Sequence, residues 1–323
     1  MLAGAAFHEG ECAAQARVGV REKMRVVGEH AIRDFMSDQH RELFTKLPFV
    51  IVGTVDSQGQ PWASILARPP GFIASPTPHA LVISARPLRA DPLLDTLVCN
   101  ARIGLLGIEP HTRRRNRMNG VIECITDDGF RVRVKQSFGN CPKYIQARKP
   151  EYVTRSGVAE VFHADGLGDE AVQRLIRQAD TFFIATAYPA NKRDADISAH
   201  GVDVSHRGGK PGFVRVDDDR CLTVPDYAGN QFFNTIGNLI ANPRAGLLFI
   251  DFETGDLLYL AVEAGIIWEG ELLKAFEGAQ RLLRFRVGEV RLVKASLPLR
   301  WGPVQVSPFL KHAGQETFTN PTS

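Results

Sequence analysis

Residues 205–214 read Ser205-His206-Arg207-Gly208-Gly209-Lys210-Pro211-Gly212-Phe213-Val214, and the last four have a counterpart earlier in the chain. Pro70-Gly71-Phe72-Ile73 lies 141 residues upstream of Pro211-Gly212-Phe213-Val214, and at the same spacing Ser64 falls on Ser205 and Leu81 on Leu222. One added residue puts Gly104-Leu105-Leu106-Gly107-Ile108 over Gly246-Leu247-Leu248-Phe249-Ile250, 142 apart. Val50-Ile51-Val52-Gly53-Thr54 meets Phe182-Phe183-Ile184-Ala185-Thr186 at 132, the difference fitting an insertion around Asn191 to Ala199. This self-similarity predicts one unit used twice.

Working outward, each copy reads as helix, strand, turn, strand. Helical spacing is carried by Ile32, Phe35 and Met36 within Arg21–Lys46, and by Val172, Leu175 and Ile176 within Asp169–Asp180. The runs LPFVIVGTV and TFFIATA are rich in β-branched and aromatic residues and of strand length. Asp56-Ser57-Gln58-Gly59-Gln60 is a turn sequence. A second helix is expected at Asp91–Asn100, with Pro92 in its first position, and at Gln231–Asn242, stopped by Pro243. IGLLGIE with GVIECIT, and AGLLFID with LLYLAVEAGIIW, supply the closing strands. The pattern predicts a mainly β fold: two antiparallel units of about six strands with short helices, each closed into a barrel to remove its edges. Residues 1–165 form an N-terminal barrel with a helical extension, and residues 166–323 a C-terminal barrel with a short tail. Two copies on one chain can pack as a pseudo-dimer, and only one of two equivalent interfacial sites need survive.

The whole chain of 323 residues is 44% hydrophobic and 23% charged, with a formal charge of +3. This near balance gives no reason to expect nucleic acid or an anionic membrane as partner. No apolar run approaches the ~18 residues of a membrane span, and the N-terminus lacks a basic-then-apolar signal layout. Cys12, Cys99, Cys124, Cys141 and Cys221 are scattered and odd in number, without a CxxC pair, which argues against a disulfide framework and a zinc site. The expectation is a cytoplasmic protein without a metal centre.

Three segments carry the chemistry. Ser205, His206, Arg207 and the following glycines combine a hydroxyl, cations and accessible backbone N–H groups, the makings of an anion cradle. Gly229-Asn230-Gln231-Phe232-Phe233-Asn234-Thr235-Ile236-Gly237-Asn238 opens a helix with amides and a threonine, where free N–H groups favour phosphate. Asn230, Asn234, Thr235 and Asn238 are its candidate ligands. In the first copy, Arg113-Arg114-Arg115-Asn116-Arg117 would set Arg113, Arg115 and Arg117 on one strand face, a charge that the second copy lacks. A polar segment from Val134 to Ile145 contains Cys141, which Pro142 and the lack of a nearby His mark as an ordinary thiol. No catalytic residue can be named from spacing.

These segments, together with FVIVGTVDSQGQPWAS, RRRNRMNG, SFGNCPKYIQ and DVSHRGGKPGFVRV, resemble the pyridoxamine 5′-phosphate oxidase-like, FMN-binding split-barrel family in a tandem double-barrel form. The resemblance covers about residues 25 to 300. It implies an FMN, rather than FAD, held between the barrels. Its phosphate would meet Ser205, His206, Arg207 and the segment Asn230 to Asn238, while Arg115, Arg117, Gln136 and Ser137 would come from the first barrel. The family's Arg-x-x-x-x-Lys strand and Ser-Arg-Lys helix start are replaced here by Ser/His/Arg/Gly and Asn/Thr. The implied activity is a flavin-dependent oxidoreductase acting on a small molecule, with an electron donor such as NAD(P)H, and a homodimer is compatible with it. The alternative is a non-catalytic flavin- or haem-binding split-barrel module, with His8, His40, His163 and His312 as axial candidates.

Overall fold

The computed structural model describes residues 6–155, 159–189 and 198–310, and it is mainly β, 43% strand against 20% helix. Seven strands, β1 (Phe49–Val55), β2 (Pro61–Ala67), β3 (Ile73–Thr77), β4 (Ala80–Ile83), β5 (Arg102–Glu109), β6 (Arg114–Thr126) and β7 (Gly129–Gly139), form one antiparallel sheet. Their order is β2-β1-β5-β6-β7-β4-β3. After β8 (Pro150–Tyr152) and β9 (Val161–Ala164) come β10 (Thr181–Ala187), β11 (Val202–Gly208), β12 (Arg215–Val216), β13 (Cys221–Tyr227), β14 (Arg244–Ile250), β15 (Leu257–Ile267) and β16 (Ala279–Val293). They follow the same order, β11-β10-β14-β15-β16-β13-β12, with β9 added beside β16. Registers agree as well: Val52 faces Ser64 as Ile184 faces Ser205, and Gly53 faces Gly104 as Ala185 faces Gly246.

The two sheets cross face to face through reciprocal glycines. A Cβ on Gly104 would stand 2.4 Å from the Val202 carbonyl oxygen, and one on Gly246 2.3 Å from the Pro61 oxygen. Pro61 opens β2 as Val202 opens β11, so the contact is self-complementary in the manner of a twofold interface. Each sheet has its own core, and a third cluster is shared: Phe49, Ile51, Trp62, Ile65 and Leu106 pack with Phe183, Val204, Leu248 and Tyr259. Chain segments also cross over. Arg148, just before β8, reaches Asp180, and β17 (Leu299–Trp301) returns to pair with β8 and set Trp301 edge-on to Phe49.

Helices depart from the sequence expectation in instructive ways. The run Arg21–Lys46 is two helices, and α1 (Glu9–Arg17) precedes α2 (Arg21–Ala31) and α3 (Asp38–Lys46). The chain breaks after Ala31 because Arg33 bridges to Ser137 in extended form and the Met36 N–H goes to the Pro78 oxygen. Asp91–Asn100 shrinks to one turn, α4 (Leu93–Thr96), with Asp91 accepting from the Leu93 N–H. α5 (Glu170–Gln178) starts on Asp169, whose carboxylate accepts from the Ala171 and Val172 N–H groups. α6 (Asn234–Ala241) is the helix expected from the Asn/Thr segment, and a one-turn α7 (Glu271–Lys274) follows β15. Arg113 leaves its expected strand face: it is left-handed (φ 57°) after the Pro110–Thr112 turn, and its guanidinium binds the Ile145 oxygen. The insertion at Asn191 to Ala199 and the tail from Lys311 to Ser323, with His312, lie largely or wholly outside the described residues. No helix among the described residues is long and apolar enough to cross a membrane.

Candidate functional site

β6 of the first sheet, β11, β13, β16 and the start of α6 surround one polar cavity of about 100 Å³. Its lining holds Arg115, Arg117, Ser205, His206, Arg207, Asn230, Asn234 and Thr235, eight of the eleven residues expected from sequence. Strand alternation explains the convergence: Arg115 and Arg117 share one face of β6, and Asp203, Ser205 and Arg207 share one face of β11. The approach to α6 is strained, because Gln231 (φ 65°) and Phe233 (φ 64°) are both left-handed without being glycine. Such conformations cost roughly 1–3 kcal/mol each and persist only where surrounding contacts fix them.

Charge is the leading property. Asp203 Oδ1 accepts from Arg117 Nη1 at 2.9 Å and from Asn119 Nδ2 at 2.8 Å. Asp226 is shared, Arg207 on one oxygen and Arg281 on the other at 3.1 Å. Among the described residues Arg115 meets no carboxylate: its Nε donates to the Cys141 oxygen at 2.7 Å and its Nη1 donates to the His206 oxygen at 3.4 Å. Burial, with the Arg117 and Arg207 charges adding to it, pulls Arg115 down to about 10. Burial also lowers Arg117 and Arg281 from the usual guanidinium range. Glu11, nearby, keeps its proton well above the usual carboxylate range because it is buried and faces Asp203. Besides Glu11, four guanidinium groups therefore meet two carboxyl groups, those of Asp203 and Asp226. The Nε atoms of Arg117, Arg207 and Arg281 are buried without a hydrogen-bond partner.

Three expected residues lie elsewhere. Asn238 is one turn further into α6, and its amide is taken by Asp203, Thr186 and His8. Ser137 bonds His40 Nδ1 at 2.9 Å, and Gln136 borders a separate cleft beside α2. His206 touches the cavity, but alternation turns its ring the other way. The imidazole stands edge-on to Phe183 (5.7 Å) and borders a small apolar gap with Phe49, Ile145 and Trp301. Burial, then the Arg115 and Arg207 charges, hold it well below 6.5 and neutral. Of the haem candidates, His8 is buried and bonded to Asn238, and His163 lies on β9.

Sequence reading missed Arg281 and its partner Asp226. A signal existed: Arg281, Leu283, Phe285 and Val287 alternate inward along β16, so an arginine occupies a core-facing position. The equivalent place in the other half is filled. Tyr259, at the position matching Arg117 in register, gives its Oη to Asp91 at 2.8 Å, and both are fully buried.

Residues 36–163 match the protein family described as pyridoxamine 5′-phosphate oxidase. HupZ from Group A Streptococcus aligns with 38% of this chain and 90% of its own, at 15% identity and a TM-score of 0.30. A provisionally assigned pyridoxamine 5′-phosphate oxidase of Lactobacillus delbrueckii aligns with 39% and 94%, at 15% identity and a TM-score of 0.29. No protein of curated function matches the sequence significantly. The stretch 36–163, which holds α3 and the whole first sheet, is thus the part of the chain that is similar to the pyridoxamine 5′-phosphate oxidase family.

Proposed function

We propose that the cavity holds the phosphate monoester of a flavin, FMN, and that the chain is a flavin-dependent oxidoreductase acting with a small-molecule substrate and a donor such as NAD(P)H. One observation carries this reading: two guanidinium charges in excess of the carboxylates, gathered around unpaired buried donors. A phosphate monoester brings nearly two negative charges and several acceptor oxygens, which match that excess. The four arginines restore the charge that the missing family lysine would have given. At about 100 Å³ the cavity is smaller than the roughly 300–1,000 Å³ of drug-sized ligand pockets, so it suits the phosphate end of the molecule. A bound flavin would supply hydride or electron transfer. The chain's own part is to neutralise the phosphate with Arg115, Arg207 and Arg281, to order Arg117 through Asp203, and to offer the Ser205 and Thr235 hydroxyls, which lie 3.1 Å apart.

The test is the visible spectrum of freshly purified protein, with any released cofactor identified, followed by titration with FMN and riboflavin. A yellow protein that releases FMN and bleaches with NADH or NADPH supports the oxidoreductase; FMN without bleaching supports a non-catalytic module, and a Soret band supports haem. A colourless protein that takes up no FMN overturns the proposal. Arg115→Met sharpens it. FMN affinity should fall about tenfold or more, the worth of one charged hydrogen bond, while the ligand-free protein melts no lower. Unchanged FMN affinity in that variant would sink the phosphate assignment.

A further inference from the structure

Helix α1 lies outside the family match and precedes both sheets, yet it meets α6 backbone to backbone. A Cβ on Gly10 would stand 2.2 Å from the Gly237 oxygen, and one on Gly237 2.5 Å from the Glu11 nitrogen. That approach admits a directed chain of hydrogen bonds. The Gly10 N–H donates to His8 Nδ1 at 3.1 Å, so the proton of the neutral ring sits on Nε2 and goes to Asn238 Oδ1 at 3.0 Å. Asn238 Nδ2 then donates to Asp203 Oδ2 at 2.9 Å, and Asp203 Oδ1 accepts from Arg117 Nη1 at 2.9 Å. All four side chains are less than one-tenth exposed. Water therefore cannot replace a missing link without opening the structure.

We infer that His8 is a positioning residue for the anion cavity: acting through Asn238 and Asp203, it fixes the Arg117 guanidinium and couples the start of α1 to the site. Asn238 holds the second oxygen of Asp203, and without the His8 donor on its Oδ1 the Asn238 amide is anchored only through its nitrogen, to Asp203 and Thr186. The binding side of this inference rests on the phosphate reading above; the coupling itself does not.

Two variants test it. His8→Phe keeps a ring in the same space and removes both hydrogen bonds, and His8→Gln returns a donor toward Asn238. FMN and inorganic phosphate should bind about tenfold more weakly to His8→Phe, riboflavin should be unaffected, and His8→Gln should recover most of the loss. Equal weakening of FMN and riboflavin, or no recovery in His8→Gln, would overturn the positioning role. Amide exchange of the ligand-free protein reads the coupling independently. Protection should fall in 203–205 and 234–238 of His8→Phe but not in the matching strand 61–67. Unchanged exchange overturns the relay even if FMN binds, whereas changed exchange with no FMN or phosphate uptake by the wild type overturns the phosphate reading alone.

Discussion

Asp226 is the one carboxylate that Arg207 and Arg281 share, and it holds the balance of the cavity's charge. Asp226→Asn should lower the stability of the ligand-free protein by about 3 kcal/mol, because it strands the buried Arg281 and the partly buried Arg207. The same change should enlarge the rise in melting temperature produced by inorganic phosphate, since a third positive charge is then uncompensated. A smaller phosphate effect than in the wild type would refute the charge excess. Glu11 makes stability depend on pH. Burial and Asp203 raise its folded value above 4.5, so the folded chain keeps a proton that the unfolded chain releases. Its contribution to stability is therefore complete below about 4.5 and is lost as pH rises from there to the folded value. Glu11→Gln removes that slope: the variant should gain on the wild type with rising pH, and parallel denaturation curves from pH 5 to 8 would contradict it.

At the scale of elements, the strands were the most legible part of the chain and the connections the least. β1, β5, β10 and β14 announce themselves because each is a mainly apolar run whose middle is buried on both faces. The break between α2 and α3 is invisible to helical periodicity, since Ile32, Phe35 and Met36 keep the right spacing across it. What stops the helix is distant in sequence: Ser137 on β7 and Pro78. The site shows the same division. Residues clustered in one segment, such as Ser205 to Arg207, could be found by reading along the chain. Arg281 sits 55 residues from Asp226, and only strand pairing between β13 and β16 brings them together. His206 lines the cavity without turning its ring into it, because strand alternation points Ser205 and Arg207 there instead. The reciprocal glycines give a prediction at this scale. Gly104→Ala and Gly246→Ala should each cost about 3 kcal/mol, as steric overpacking against a carbonyl does, and by similar amounts because their surroundings match. Widely different losses in chemical denaturation would argue against the twofold-like contact.

Across the whole molecule, the shared apolar layer and the crossed segments bind the halves into one folding unit. Arg148 and Asp180 pair through both nitrogens and both oxygens, at 3.0 and 2.7 Å, with Arg148 lying 3.9 Å from the Phe252 ring. Calorimetry should show a single transition, and Arg148→Met should lower stability by about 3 kcal/mol by leaving Asp180 buried and unpaired. Two resolved transitions would mean that the halves fold separately. The peptide running from β7 through β8 toward β10 has a further consequence. The arginines of β6 and the Ser205 hydroxyl of β11 come from opposite halves, yet they are tethered, so their encounter has no dependence on protein concentration. Walls contributed by separate chains would part on dilution and release their ligand. Here occupancy at nanomolar protein should follow the ligand's own dissociation constant, with at most one such cavity filled per 35.6 kDa.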